Sequence, residues 1–380
     1  MTDAPPEIHG TCPARFDGVK AAFRRNFPDG PEGLDEIGAR FTVCQGGETL
    51  LDLWAGHADT ARTRPFADDT LVPVFSTGKA VMALMIGWAV DRGLLDYEAP
   101  VAEVWPDFGQ AGKSAITLGQ LMSHQAGLSG FSPAIDPTVW FEPEKVLEAL
   151  CQQAPLWDPG TASGYHPITI GYLAGEVFRR ADGRTMGQAL KEDFAGPAGL
   201  DLWLGLPDAE HGRVAQMKKP TSAPDLGPID AIKTAAFLDR GSAPAGRGSA
   251  DWRRMEIPSA NIHATAGALA RMLALALPEG VAGKALSGAT RAAMTRERIS
   301  GPDRVLPFDM SWAAGFTRNQ GLGIFGPNPD AVGHCGWGGS CALADPETGV
   351  TAAYVMTRQS PHLIGDPRAT ALINALYAAL

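Results

Sequence analysis

The sequence predicts an α+β fold in which strands from both ends of the chain form one antiparallel sheet, flanked by helices and carrying an inserted helical lobe. Three observations point there. Near the N-terminus, residues 40–44 and 50–54 are rich in β-formers and are separated by Gln45-Gly46-Gly47-Glu48, whose glycines suit a hairpin turn. Near the C-terminus, residues 341–344 and 351–356 repeat the pattern around Asp345-Pro346-Glu347-Thr348-Gly349. Between them the chain carries helix-like stretches with recognisable stops.

In chain order, residues 78–92 read as a helix ended by Gly93. Its apolar run, 80–90, is eleven residues long and too short to span a bilayer, so it reads as buried. A short helix over 118–123 follows Thr117 as N-cap. Helices over 168–180 and 185–194 are separated by the turn residues Ala181-Asp182-Gly183-Arg184. Residues 207–258 are rich in Pro, Gly, Ser and Ala around a helix at 230–238, a composition read as a pocket rim rather than a linker. A helix over 261–277, a strand over 312–316 and a closing helix over 367–380 complete the reading. The expected organisation is a sheet lobe of 1–75 and 255–380, a mainly helical lobe of 76–254, and an active site at their interface.

With 380 residues, 45% hydrophobic and 19% charged, the chain can bury a large core. Its net charge of −10, without any basic run, argues against nucleic acid and favours a small-molecule partner. The opening residues Met1 to Glu7 lack a basic stretch followed by an apolar core, so no secretory leader, no membrane and a cytoplasmic location are expected. Five scattered cysteines without C-x-x-C spacing give no disulfide framework, and Cys335 and Cys341 are assigned packing alone. Eight histidines without zinc-site spacing leave no metal. Oligomeric state has no signature in the sequence.

Chemistry concentrates at Ser76-Thr77-Gly78-Lys79. Residues three apart share a helix face, so the Ser76 hydroxyl and the Lys79 amine are neighbours. Burial against the following apolar run disfavours the ammonium, and a neutral amine can accept the serine proton.

Three further segments give that pair a context: Gly164-Tyr165-His166 before a helix, the glycine-dense Gly333-His334-Cys335-Gly336-Trp337-Gly338-Gly339-Ser340, and Ser123-His124-Gln125. Together they resemble the serine β-lactamase and penicillin-binding-protein superfamily, and most closely the family VIII carboxylesterases related to class C β-lactamases. The resemblance spans nearly the whole chain and implies the β-lactamase-like fold. It implies that Ser76 is the acyl-accepting nucleophile, Lys79 its base and Tyr165 the proton shuttle, with the N–H groups of Ser76 and Trp337 as the oxyanion hole. His334-Cys335-Gly336 falls where class C enzymes carry K-T-G, and no cofactor is implied.

Two departures favour esters over β-lactams: Pro167 stands where those enzymes place an asparagine, and His334 replaces a permanent cation. Candidate substrate-binding residues are His334, Gly336, Trp337, Gly338, His166, Phe131 and Trp252. The reading is a serine hydrolase cleaving small carboxylic esters through an acyl-enzyme on Ser76. The alternatives are a β-lactamase, a D-alanyl peptidase or an acyltransferase with the same intermediate, and a non-catalytic ligand-binding protein. Lys233-Thr234-Ala235 mimics K-T-G but lies in a helical setting.

Overall fold

A computed structural model describes residues 5–27 and 30–380; residues 1–4, on which part of the no-leader reading rests, lie outside it. Among the described residues the strands are β1 (Ile8–Thr11), β2 (Gly38–Gln45), β3 (Glu48–Gly56), β4 (Val72–Pro73), β5 (Leu202–Trp203), β6 (His263–Ala264), β7 (Ile299–Pro302), β8 (Asp309–Trp312), β9 (Thr317–Arg318), β10 (Val332–Cys335), β11 (Cys341–Asp345) and β12 (Val350–Met356). Nine of them make one antiparallel sheet in the order β1-β3-β2-β12-β11-β10-β9-β8-β7. The two chain ends meet at its centre, where β2 and β12 pair from Gln45↔Val350 to Ala39↔Met356. The expected α+β architecture is therefore present, and Gly46 (φ +59°) and Gly47 (φ +83°) make the β2–β3 turn as expected.

Alternation along β12 divides the core. Ala352, Tyr354 and Met356 join Phe16, at the N-cap of the helix Asp17–Arg25, Phe23 from that helix, and Leu372 and Leu376 from the closing helix Pro367–Tyr377. Ala353 and Val355, with Ala342 and Ala344 of β11, face the other core, which contains the helix Ala266–Leu273. Small alanines on that face let the helix approach closely. The helix Gly78–Asp91 lies in the same core, with every residue from Gly78 to Gly87 buried, as a helix apolar on all sides must be. Among the described residues, no helix is long and apolar enough to cross a membrane.

The other helical readings hold with shifted ends. Leu118–Met122 and Met186–Leu190 each begin with a capping box, at Thr117/Gln120 and Thr185/Gln188, and Thr169–Asp182 stops at left-handed Gly183. Two expectations are corrected. Residues 312–316 do not form a strand: β8 ends at Trp312, and Gly315 at φ +86° turns the chain into β9. The helix expected over 261–277 starts only at Ala266, because the Asn261 side chain holds a turn, donating to the Trp252 and Met255 carbonyls, and Thr265 supplies the cap.

Gly315 and Gly183 share nearly the same φ, +86° and +87°, but differ in surroundings. A Cβ on Gly315 would lie 2.8 Å from the Ala83 Cβ, whereas one on Gly183 meets nothing within 4 Å. Urea unfolding should show Gly183→Ala costing about 1 kcal/mol, the left-handed penalty alone. Gly315→Ala should cost at least about 1 kcal/mol more through overpacking; equal losses would show that the turn relaxes freely.

Candidate active site

Ser76 lies in the 3₁₀ turn Phe75–Thr77, between β4 and the helix Gly78–Asp91. The small sheet β4-β6-β5 and a Val74 N–H bond to the Ile262 carbonyl fix the chain entering this turn. Phe75 has φ +48°, a strained conformation for a bulky side chain. Neither Val74 nor Thr77 makes a side-chain capping bond, and the Ser76 hydroxyl is engaged elsewhere. Its Oγ is 3.0 Å from Lys79 Nζ.

Lys79 is fully buried, and burial lowers its amine well below the ordinary lysine range. Nζ also donates to the carbonyls of Pro167 (2.7 Å) and Ser259 (2.9 Å). A neutral amine has two N–H donors and one lone pair. With both donors taken by carbonyls, the lone pair is left for the third neighbour, the Ser76 hydroxyl. This geometry can carry the serine proton to nitrogen.

Tyr165 completes the group: its phenol is near enough to Ser76 for that hydroxyl to favour the phenolate, and its ring centroid is 4.8 Å from Lys79 Nζ. Burial pushes the phenol above its usual range, so it rests protonated. The ring stacks on Trp312 at 5.8 Å and 6°, and His124 packs edge-on against both, at 5.0 and 4.5 Å. Asp303 holds this arrangement together. Its carboxylate accepts the N–H groups of Tyr165, Val305 and Leu306, each at 2.9 Å, and the Trp312 indole N–H at 3.1 Å.

The turn after β10 closes over Ser76. The Thr77 and Ser340 hydroxyls are 2.9 Å apart, and Ser340 also donates to the Val74 carbonyl at 2.9 Å. Among the described residues, neither the Ser76 nor the Trp337 N–H makes a backbone hydrogen bond, so both are free to receive a developing negative charge.

An apolar cavity of about 530 Å³ opens beside Ser76 and Tyr165. His334, Trp337 and Trp252, three of the expected substrate-binding residues, line it. The other four do not. Gly336 is small because the Val74 carbonyl would sit 2.3 Å from its Cβ, and Gly338 because Gln359 would sit 2.6 Å away. His166 packs behind Tyr165, its Nε2 accepting the Leu128 N–H at 2.9 Å, and Phe131 packs edge-on against Trp140. Much of the remaining lining, including Leu226, Ile229, Leu238 and Arg247, comes from the irregular 207–258 stretch. His334 is buried and neutral, lowered to about 3 chiefly by burial.

Sequence reasoning missed three contributors: the Pro167 and Ser259 carbonyls, and Asp303. A backbone acceptor has no residue-type signature. Asp303 lies far in sequence from the tyrosine it holds.

The family model described as Beta-lactamase matches residues 23–376. The chain is 36% identical over 384 residues to Esterase/beta-lactamase LipL of Mycobacterium tuberculosis (strain ATCC 25618 / H37Rv), covering 96% of this chain and 86% of that protein. Among solved structures it is similar to a penicillin-binding protein homolog from Caulobacter crescentus (TM-score 0.95, 53% identity, 98% of this chain and 100% of that one). It is likewise similar to a family VIII carboxylesterase (TM-score 0.90, 37% identity, 98% and 100%).

Burial lowers His166, His263 and His334 each to about 3, against roughly 6.5 unfolded. Below pH 6.5 the unfolded chain takes up protons that the folded one refuses. Each histidine therefore removes about 1.4 kcal/mol of stability per pH unit as pH falls toward 3. Between pH 7 and 5, His334→Gln should lose about 2 kcal/mol less stability than the parent by urea unfolding. Identical pH dependence would mean that His334 is not buried as a neutral ring.

Proposed function

The chain belongs to the beta-lactamase family, and we propose that it hydrolyses small carboxylic esters through an acyl-enzyme on Ser76. The observation that carries this reading is the buried amine of Lys79, hydrogen-bonded to two carbonyls and 3.0 Å from Ser76 Oγ. Ser76 Oγ attacks the ester carbonyl as its proton passes to Lys79. The oxyanion is held by the N–H groups of Ser76 and Trp337. Tyr165 then protonates the departing alcohol and is reprotonated from Lys79. Water repeats the sequence in reverse roles: it gives a proton to the Lys79–Tyr165 pair, attacks the acyl carbon, and Ser76 Oγ leaves with a proton.

Ester preference rests on the cavity. His334 is neutral and offers no permanent cation for a β-lactam carboxylate, and Pro167 has no side-chain amide. The apolar lining, with Ile229 and Leu238 half-exposed, suits a hydrophobic acyl or alcohol group. The proposal places the site between a sheet lobe of 1–75 and 255–380, supplying Ser259, His334 and Trp337, and a helical lobe of 76–254, supplying Ser76, Lys79 and Tyr165. β-Lactam hydrolysis is the second reading, favoured by the double name of the 36% identical relative.

Assays with a short-chain nitrophenyl ester and a chromogenic cephalosporin separate the two readings. Ester turnover should exceed cephalosporin turnover, and Ser76→Ala should lower ester kcat/KM by about 10⁴-fold. Turnover should fall on acidification as Lys79 protonates, with the fall set well below the ordinary lysine pKa. Undiminished hydrolysis by Ser76→Ala would sink the mechanism, and faster cephalosporin hydrolysis the substrate class.

A further inference from the structure

Cys335, the last residue of β10, and Cys341, the first of β11, stand opposite one another across the hairpin, with sulfurs 3.8 Å apart. Both thiols are free. The neighbouring pair is hydrogen-bonded, Gly336 N–H donating to the Ser340 carbonyl at 2.8 Å. Antiparallel ladders alternate, so Cys335 and Cys341 occupy a non-hydrogen-bonded pair, where Cα atoms stand about 4.5 Å apart. That spacing falls within the range of about 4.4–6.8 Å that a disulfide spans.

The two sulfurs are not equivalent. Both are buried, at 8% and 4% exposure, in the core on the sheet face opposite His334, but Cys335 is among the residues that border the cavity with Ser76, His334 and Trp337, and Cys341 is not. The contact with Cys341 draws the Cys335 thiol below its usual range, while the same contact and burial push Cys341 up. A thiol beside the cavity that ionises more readily, with a second thiol within reach, is the arrangement of an attacking and a resolving thiol.

We propose that Cys335 and Cys341 form a dithiol site modified by hydroperoxides, separate from the ester chemistry. The Cys335 thiolate attacks one peroxide oxygen and the O–O bond breaks. Cys335 becomes a sulfenic acid, and the other oxygen leaves as an alcohol, or as water when the oxidant is hydrogen peroxide. Cys341 Sγ then attacks the Cys335 sulfur, the S–S bond forms, and the sulfenic oxygen leaves as one water. The two thiols have lost two electrons and two protons to the peroxide. Closing the sulfurs to about 2.0 Å cross-links the two strands at the base of the 336–340 turn, which carries Trp337.

The test reads covalent state, so its outcome is independent of whether Ser76 hydrolyses esters. The full-length protein is treated with a small excess of hydrogen peroxide, denatured, alkylated and analysed by peptide mass spectrometry. Of its five cysteines, Cys335 and Cys341 should escape alkylation, joined and lighter by two hydrogens, and a dithiol reductant should restore both. In Cys341→Ser, Cys335 should stop at a sulfenic acid that dimedone traps. Five alkylated thiols in the oxidised parent, a link between another pair, or no dimedone adduct at Cys335 in Cys341→Ser would each overturn the proposal.

Discussion

The burial of one amine organises the site. Lys79 reaches the interior without a carboxylate among its hydrogen-bond partners, held by carbonyls from two distant segments, at Pro167 and Ser259, and by Ser76. Lys113 shows what a different surrounding does to the same side chain. It is also buried, but its Nζ donates to three carbonyls, at Gln110, Cys151 and Gln153. Three acceptors match the three protons of an ammonium. Lys79 has one carbonyl fewer and a hydroxyl in its place, a group that can give a proton to the amine as well as accept one.

The second constraint is the seam between the Ser76 turn and the 336–340 turn. The Thr77, Ser340 and Val74 bonds close it from the front. From behind, Arg368 donates to the Gly338 carbonyl at 3.1 Å while paired with Glu36 and Asp366, all buried. Asp366 also caps the last helix. An uncompensated charge in such a place is costly, so this network ties the chain's final helix to the turn bearing Trp337. The glycines there answer to this packing: a Cβ on Gly339, at φ +119°, would lie 2.3 Å from the Asp366 carboxylate. Glycine density at this edge reflects close backbone layers, and the room for substrate lies to one side of it.

The cavity draws its character from a different source. Its floor is aromatic and held by the sheet, with Trp312 against Tyr165 and Asp303 bonded to both. Its rim comes from the Pro- and Gly-rich stretch, which exposes Ile229 and Leu238. The Ser76–Lys79 pair thus sits on a turn and a helix, while much of the cavity wall is built on irregular chain.

The sequence by itself determined what local rules can determine. β-Former runs and the Gly46-Gly47 turn marked the central strands, capping residues marked Leu118–Met122 and Met186–Leu190, and three-residue spacing brought Ser76 and Lys79 together. Tyr165 and the His334 to Ser340 edge were legible through resemblance. Tertiary structure decided the rest. That Gly336 and Gly338 serve packing, that His166 lies behind the tyrosine, and that β8 stops at Trp312 all depend on neighbours remote along the chain. So do the two carbonyls that orient Lys79. A side-chain spacing is written in one segment, but a hydrogen-bond acceptor or a steric wall exists only once two segments have been folded against each other.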